Sequence, residues 1–290
     1  MNRKNIFITG TNSFVGKNLI NELKEKYKIF ALSIKKNELK IFEKKHIKIK
    51  KLKKLNKDEL LRLTNNVNFF GLIHCHAYGT SSGTSDKKKM LNYNLFSGLE
   101  ILKFAKEKKI EKNIFFGSVS QFNSHKGAEG DFYGFTKTLL EKGCRYFATE
   151  FNININFLYL FYVYGKNENY YRLISNIVNS LKRKKRIKIN YPLQKMDFLH
   201  ISDLINAINK ILNQKQTKGF NNFKLCYGKL IDVKQMCKIL CKNLNLDYKK
   251  IKFSKKINQH SIYNIQNHKK FKRKFNWYPK INFQTGIKDY

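Results

Sequence analysis

Residues 4–20, KNIFITGTNSFVGKNLI, constrain the fold more than any other stretch of the chain. Ile6, Phe7 and Ile8 form a short β-branched and aromatic run. Gly10 and Gly16 then bracket a turn, and Val15, Leu19 and Ile20 recur at helical spacing. The reading is strand, turn, helix. In such a unit Gly10 permits the tight turn and Gly16 lets the new helix pack closely on the strand. The helix N-terminus points unpaired N–H groups and the positive end of its dipole at a pyrophosphate. A βα corner with no ligand is the competing reading of the turn by itself. If the corner seats a cofactor, Gly10, Ser13, Phe14, Val15 and Gly16 are its candidate contacts.

The 290 residues allow a sizeable core, as one large α/β domain or a domain with a smaller lobe. No run of 18 apolar residues occurs, and the first strand begins within five residues, which leaves no room for a signal peptide. The expectation is a cytoplasmic protein with no membrane partner. Five cysteines, an odd number without a CxxC pair, argue against a disulfide framework and against zinc, so no metal is expected. Cys237 and Cys241 share a helix face and read as core thiols.

A formal charge of +39 raises the question of a nucleic-acid partner. Only seven of the 59 basic residues are arginine, and the lysines are spread over every segment. That pattern reads as drift at surface positions, with non-specific attraction to polyanions at low salt as its consequence. KRKKR at 182–186 reads as a solvated helix end.

Along the chain, residues 27–36 read as a second strand. NAD-using folds of this kind place Asp or Glu at its end to hold a ribose 2′-hydroxyl, whereas a 2′-phosphate wants cations. Ser33, Lys35 and Lys36 stand there, so NADP(H) is the expected cofactor, with NAD the alternative. IKIKKL at 47–52 alternates as a strand with Ile47, Ile49 and Leu52 inward, and a helix is expected around 58–66. Residues 67–80 read as a buried strand, and a long helix runs from about 88 to 109.

Chemistry is concentrated next. KNIFFGSVS at 112–120 is a strand whose end presents Ser118. Tyr133 and Lys137 follow, four apart on a helix and so on one face. A free phenol has a pKa of ~10, and bringing it near neutrality needs roughly 4 kcal/mol of differential stabilisation. A neighbouring ammonium supplies part of that. Ser118 would hold a substrate oxygen while Tyr133 passes the proton, a positioned acid contributing roughly 10²–10⁴-fold.

Several of these segments resemble the extended branch of the short-chain dehydrogenase/reductase superfamily, specifically its NAD-dependent epimerase/dehydratase family. Gly10-x2-Ser13-x2-Gly16 resembles its TGxxGxxG turn, with Ser13 in place of the middle glycine. Residues 67–80 resemble its "viHlAa" strand, with His74 and Ala77 in place and His76 replacing an alanine. Asn94, Gly98 and Leu102 fit its "Nv.gt.nlL" helix, whose Asn supports the sheet near the active site. Residues 151–181 resemble its "lRlfnvYGp" segment, with Tyr159 where Arg is frequent and Lys166 for proline. Asp197, Phe198, Ile201 and Asp203 match its "RDFiyVdD" block, with Met196 for the Arg. Residues 220–240 and the Trp277, Pro279, Gly286 segment extend the resemblance to about residue 288.

The resemblance implies a Rossmann-like doubly wound parallel sheet at 1–165, with 197–225 returning to it. A smaller C-terminal substrate-binding lobe would comprise 166–196 and 226–290, with the substrate in the cleft between. It implies Ser118, Tyr133 and Lys137 as the catalytic set, with Lys137 and Tyr133 also meeting the cofactor. His74, read as a strand-end histidine hydrogen-bonded near the cofactor rather than as a general base, joins Ala77 and Asn94 among the cofactor contacts. It implies a nucleoside-diphosphate sugar as substrate and a homodimer formed through the helices near 88–109 and 133–150. Family dehydratases carry an Asp-Glu pair where Val119 and Ser120 stand, which argues against dehydration. The expected reaction is NADPH-dependent reduction of a nucleoside-diphosphate 4-keto-6-deoxy sugar. C4 epimerisation is the alternative, and a non-catalytic nucleotide- or RNA-binding member is the second. Asp203 is expected to cap the helix that begins beside it.

Overall fold

A computed structural model describes residues 3–33, 47–51, 55–79, 86–122, 131–215, 218–256 and 268–290. Two compact units emerge, one of residues 1–159 and 211–223, the other of 160–210 and 224–290. After residue 159 the chain contributes residues 211–223 to the first unit.

In the first unit β1 (Asn5–Thr9) leads into α1 (Phe14–Leu23) and β2 (Lys28–Ser33), followed by β3 (Ile47–Lys51), α2 (Lys57–Leu63) and β4 (Gly71–His74). The long helical segment is α3 (Lys87–Leu91), a π-helical stretch at Asn92–Phe96, and α4 (Ser97–Glu107). Then come β5 (Lys112–Ser118), a 3₁₀ turn at Val119–Phe122, α5 (Phe132–Glu150) and β6 (Ile155–Leu160). With β10 (Phe220–Leu225), these strands form a seven-stranded sheet. Its order is β10-β6-β5-β4-β1-β2-β3. The pairs β1–β2, β1–β4, β2–β3 and β4–β5 are parallel. Strand order reverses between β1 and β4, the crevice where open α/β sheets bind ligands beyond the carboxyl ends of their strands.

The strands are apolar on both faces because helices cover both. Ile6, Phe7 and Ile8 of β1 are wholly buried. Phe7 packs against Phe69 and Phe104 with ring centroids 5.2 and 4.9 Å apart, and Phe30 against Phe69 at 5.1 Å, so aromatic contacts weld β1 and β2 to α4. Ile47 is buried as the alternation in β3 requires; Leu52 lies outside the described residues.

In the second unit β7 (Tyr162–Tyr164), β9 (Lys195–His200) and β11 (Leu230–Asp232) form a three-stranded sheet, and β8 (Ile187–Ile189) pairs in parallel with β12 (Ile251–Phe253). Helices α6 (Leu173–Lys182) and α8 (Val233–Asn243) pack into its core with Tyr164, Phe198 and Phe283. Asp203 sits in the first turn of α7 (Ile201–Asn213), but it is not that helix's cap. Its two carboxylate oxygens accept the N–H groups of Lys280 at 3.0 Å and Ile281 at 2.9 Å, because a buried carboxylate takes whichever unpaired donors the tertiary fold brings to it. The five cysteines are all buried, Cys237 and Cys241 on α8. Among the described residues no helix is long and apolar enough to cross a membrane, and no group of three His, Cys, Asp or Glu could hold a metal ion.

Candidate active site

The site begins at the turn after β1. Gly10 has φ +66, a conformation side chains rarely adopt, and a Cβ there would lie 2.5 Å from the backbone nitrogen of His76. A Cβ on Gly16 would collide with the Gly10 carbonyl oxygen. The two glycines therefore let α1 start tight against the ends of β1 and β4. Thr11 fastens the turn to β2, its hydroxyl donating to the Leu32 carbonyl at 2.9 Å. Ser13 caps α1, its Oγ accepting the Gly16 N–H at 3.0 Å, which keeps its hydroxyl proton available to donate. Phe14 is buried in the corner and Val15 half-buried. This cradle, too narrow for any side chain and facing the N-terminal end of a helix, fits a dinucleotide pyrophosphate.

At the end of β4, His74 is the register partner of Thr9, and its Nδ1 lies 2.8 Å from the Thr9 hydroxyl. Burial holds its pKa well below the ordinary imidazole value, with His76 and Lys137 adding to the effect, so the ring is neutral. His76 stacks on Tyr93 at 4.9 Å, and burial, followed by the Lys137 charge, lowers its pKa to about 4. Asn94 lies in the π-helical stretch and is fully buried. Its Oδ1 accepts the Tyr78 N–H at 2.8 Å, and its Nδ2 donates to the Tyr78 carbonyl at 2.9 Å and to Thr136 Oγ1 at 3.0 Å. It thus clamps the loop that carries half-buried Ala77 onto α5 rather than bracing the sheet. The π-helical turn is the local distortion that aims it.

Ser118 closes β5, half-buried. Its Oγ accepts the Ser120 N–H at 3.2 Å and its own N–H donates to Gln121 Oε1 at 2.9 Å. The serine hydroxyl proton is thereby left to donate outward. Tyr133, also half-buried, and buried Lys137 lie on α5, whose N-cap Asp131 accepts the Gly134 N–H at 2.9 Å. Gly134 is why the two elements meet: a Cβ there would be 2.5 Å from the Ser120 carbonyl oxygen. Lys137 Nζ lies 5.8 Å from the Tyr133 ring centroid and donates to the Phe116 carbonyl on β5 at 3.0 Å. Burial lowers its pKa to about 8, opposed in smaller measure by the thiols of Cys144 and Cys75. A phenol, a buried amine and a serine hydroxyl on neighbouring elements can interconvert a secondary alcohol and a ketone by moving one proton while a bound nicotinamide takes or gives the hydride.

Ser33 ends β2, while Lys35 and Lys36 lie outside the described residues. Three contributors escaped the sequence reading. Gly134 stands inside the Tyr-to-Lys spacing and Asp131 precedes it at cap distance, a local signal open to reading. Gln121 carried no pattern.

A Rossmann unit with a serine, tyrosine and lysine beside the switch point defines an oxidoreductase-type dinucleotide-binding protein. Residues 6–225 match the model of the NAD dependent epimerase/dehydratase family, and the chain belongs to that family of enzymes. A CDP-abequose synthase of Salmonella muenchen is 24% identical over 98% of this chain and 96% of its own. The fold is shared with UDP-glucose 4-epimerase of Thermotoga maritima, solved with UDP-glucose. Its TM-score is 0.85 at 18% identity, covering 98% of this chain and 96% of that one. It is shared equally with dTDP-glucose 4,6-dehydratase of Bacillus anthracis, solved with NAD, at TM-score 0.84 and 17% identity, covering 98% and 94%.

The family and its NAD-bound structures overturn the expectation of NADP(H) drawn from Ser33, Lys35 and Lys36. In a chain with 59 basic residues, lysines at 35 and 36 follow from composition and carry no information about a 2′-phosphate.

Proposed function

We propose that this enzyme uses NAD to oxidise and reduce one carbon of a nucleoside-diphosphate sugar, inverting C4 through a transient ketone. What supports the reading is that α5, which carries Tyr133 and Lys137, packs on the end of β5 where Ser118 stands, through Lys137 on the Phe116 carbonyl and Gly134 against Ser120, while the glycine turn after β1 meets the backbone after β4. Bound NAD would accept the hydride and return it. Gly10, Ser13, Phe14, Val15 and Gly16 would seat its pyrophosphate end, while Lys137 and the loop at Ala77 held by Asn94 would meet the nicotinamide ribose. Tyr133 takes the hydroxyl proton as the ketone forms and gives it back after the sugar has turned. Ser118 donates to the same oxygen throughout. Lys137, its pKa lowered by burial to about 8 and so still protonated at neutral pH, favours the ionised phenol electrostatically. Internal oxidation and reduction leaves no net change in NAD, which suits a cofactor kept in place.

A second reading, one-way reduction of a nucleoside-diphosphate 4-keto-6-deoxy sugar, is favoured by the end-to-end match to CDP-abequose synthase. Val119 and Ser120, which cannot act as acid and base at neutral pH, speak against dehydration. The test incubates the protein with UDP-glucose, UDP-glucuronic acid, CDP-glucose and a CDP-4-keto-6-deoxyhexose, following product stereochemistry by NMR and NADH by absorbance. Stereochemical inversion with constant NADH supports epimerisation, and stoichiometric NADH loss with the keto sugar supports reduction. Tyr133→Phe should lower either rate by at least about 100-fold; a variant as fast as the parent would refute the mechanism.

A further inference from the structure

Behind Ser118 lies a polar network that the chemistry above does not use. Gln121, on the 3₁₀ turn and only 3% exposed, accepts the Ser118 N–H through Oε1 and donates through Nε2 to Glu141 Oε2 at 3.0 Å. Glu141 stands on α5 one helical turn beyond Lys137. Its other oxygen accepts Arg145 Nε at 3.1 Å and Nη2 at 2.8 Å. The Tyr159 phenol of β6, its pKa pushed up by burial and by the same carboxylate, takes a bond from Asn222 Nδ2 at 3.3 Å. Gln121 thus grips the serine's backbone with one end and the helix carrying Tyr133 and Lys137 with the other.

We propose that Gln121 and Glu141 are positioning residues. Their amide-to-carboxylate bond sets the depth of the Ser118 hydroxyl relative to the Tyr133 phenol, and neither touches substrate. This rests on the assignment of Ser118 and Tyr133 to the reaction. A buried amide can orient a turn this firmly because both its ends are bound and alternative rotamers would strand a buried polar group. Reacting groups misplaced by about 1 Å cost on the order of 100-fold in rate. A purely structural pair would show its loss in melting temperature and in NAD binding rather than in kcat.

The experiment is a swap. Gln121→Glu places two carboxylates face to face, and Glu141→Gln leaves one acceptor oxygen where two served, so that either Gln121 Nε2 or Arg145 must face an amide NH2. The double variant restores one amide and one carboxylate with the donor reversed, so Ser118, residue 141 and Arg145 all regain partners. Measured with the sugar nucleotide of the panel above that turns over fastest, each single variant should lower kcat about 10- to 100-fold. KM and NAD affinity should stay near the parent's while the melting temperature falls in each single variant, and the double variant should recover kcat to within about 3-fold. Single variants at the parent's kcat, losses confined to melting temperature, or a swap no faster than the worse single variant would each overturn the proposal. Tyr133→Phe, assayed alongside, separates the two failures. If it abolishes turnover while the swap series behaves as stated to overturn, the positioning role alone fails. If it is fully active, or if no panel member turns over, the site assignment fails and takes this inference with it.

Discussion

Lys137 carries a charge in a place that penalises it, and its removal has a calculable signature. The side chain is 2% exposed, and burial brings its pKa from 10.5 down to about 8. The folded chain releases the proton first, so between these values the unfolded chain binds more protons and stability rises with pH. The penalty is fully present below pH 8 and fades as pH climbs towards 10.5. At pH 7 it is about 3 kcal/mol, and integrating the linkage from pH 7 to 9.5 recovers about 2 kcal/mol of it. Lys137→Met removes the charge but orphans the Phe116 carbonyl, which costs about 1–3 kcal/mol independently of pH. The variant should therefore be inactive yet roughly as stable as the parent at pH 7. Between pH 7 and 9.5 the parent should gain about 2 kcal/mol on it. Urea unfolding of both proteins at pH 7, 8, 9 and 9.5, with slopes compared to confirm a common unfolded state, measures this difference directly. Other titrating groups are shared and cancel. A parent-to-variant difference that stays constant across that range would refute the claim that the ammonium is buried at a cost.

Gly134→Ala drives a methyl group into the Ser120 carbonyl and should separate α5 from the Ser118 turn. The expected cost is about 1–3 kcal/mol in urea unfolding together with a fall in kcat, and a variant with the parent's kcat would remove Gly134 from the account. Ser13→Ala removes the cap on α1 and should lower stability by about 1 kcal/mol, whereas Ser13→Gly should cost only a few tenths. Calorimetric titration of NAD against both variants then reports whether the hydroxyl also meets the phosphate, through a weaker affinity in each.

Within the site, legibility followed distance along the chain. Tyr133 and Lys137 share a helix face because 3.6 residues make a turn, and Ser118 ends a strand whose apolar run is plain in KNIFFGS. The glycine turn was equally open, since Gly10 and Gly16 do work no other residue can. Asn94 was not. A polar residue in a helical pattern is exposed as often as it is a clamp, and its partners Tyr78 and Thr136 lie 16 and 42 residues away. Asp203 was read as a helix cap because caps are local, but its actual donors come 77 and 78 residues later.

By itself, then, the order of residues dictated the strands and helices and the alternation that buries one set of them. It also dictated the glycine corner and the helix that lines up a phenol with an amine. These depend on periods and backbone geometry acting over a few residues. Which carbonyl holds the amine, which side chain steadies the serine and which loop the asparagine grips were decided only when the sheet closed. A hydrogen bond between distant segments has no period to betray it, and it exists only where packing brings its two ends within about 3 Å.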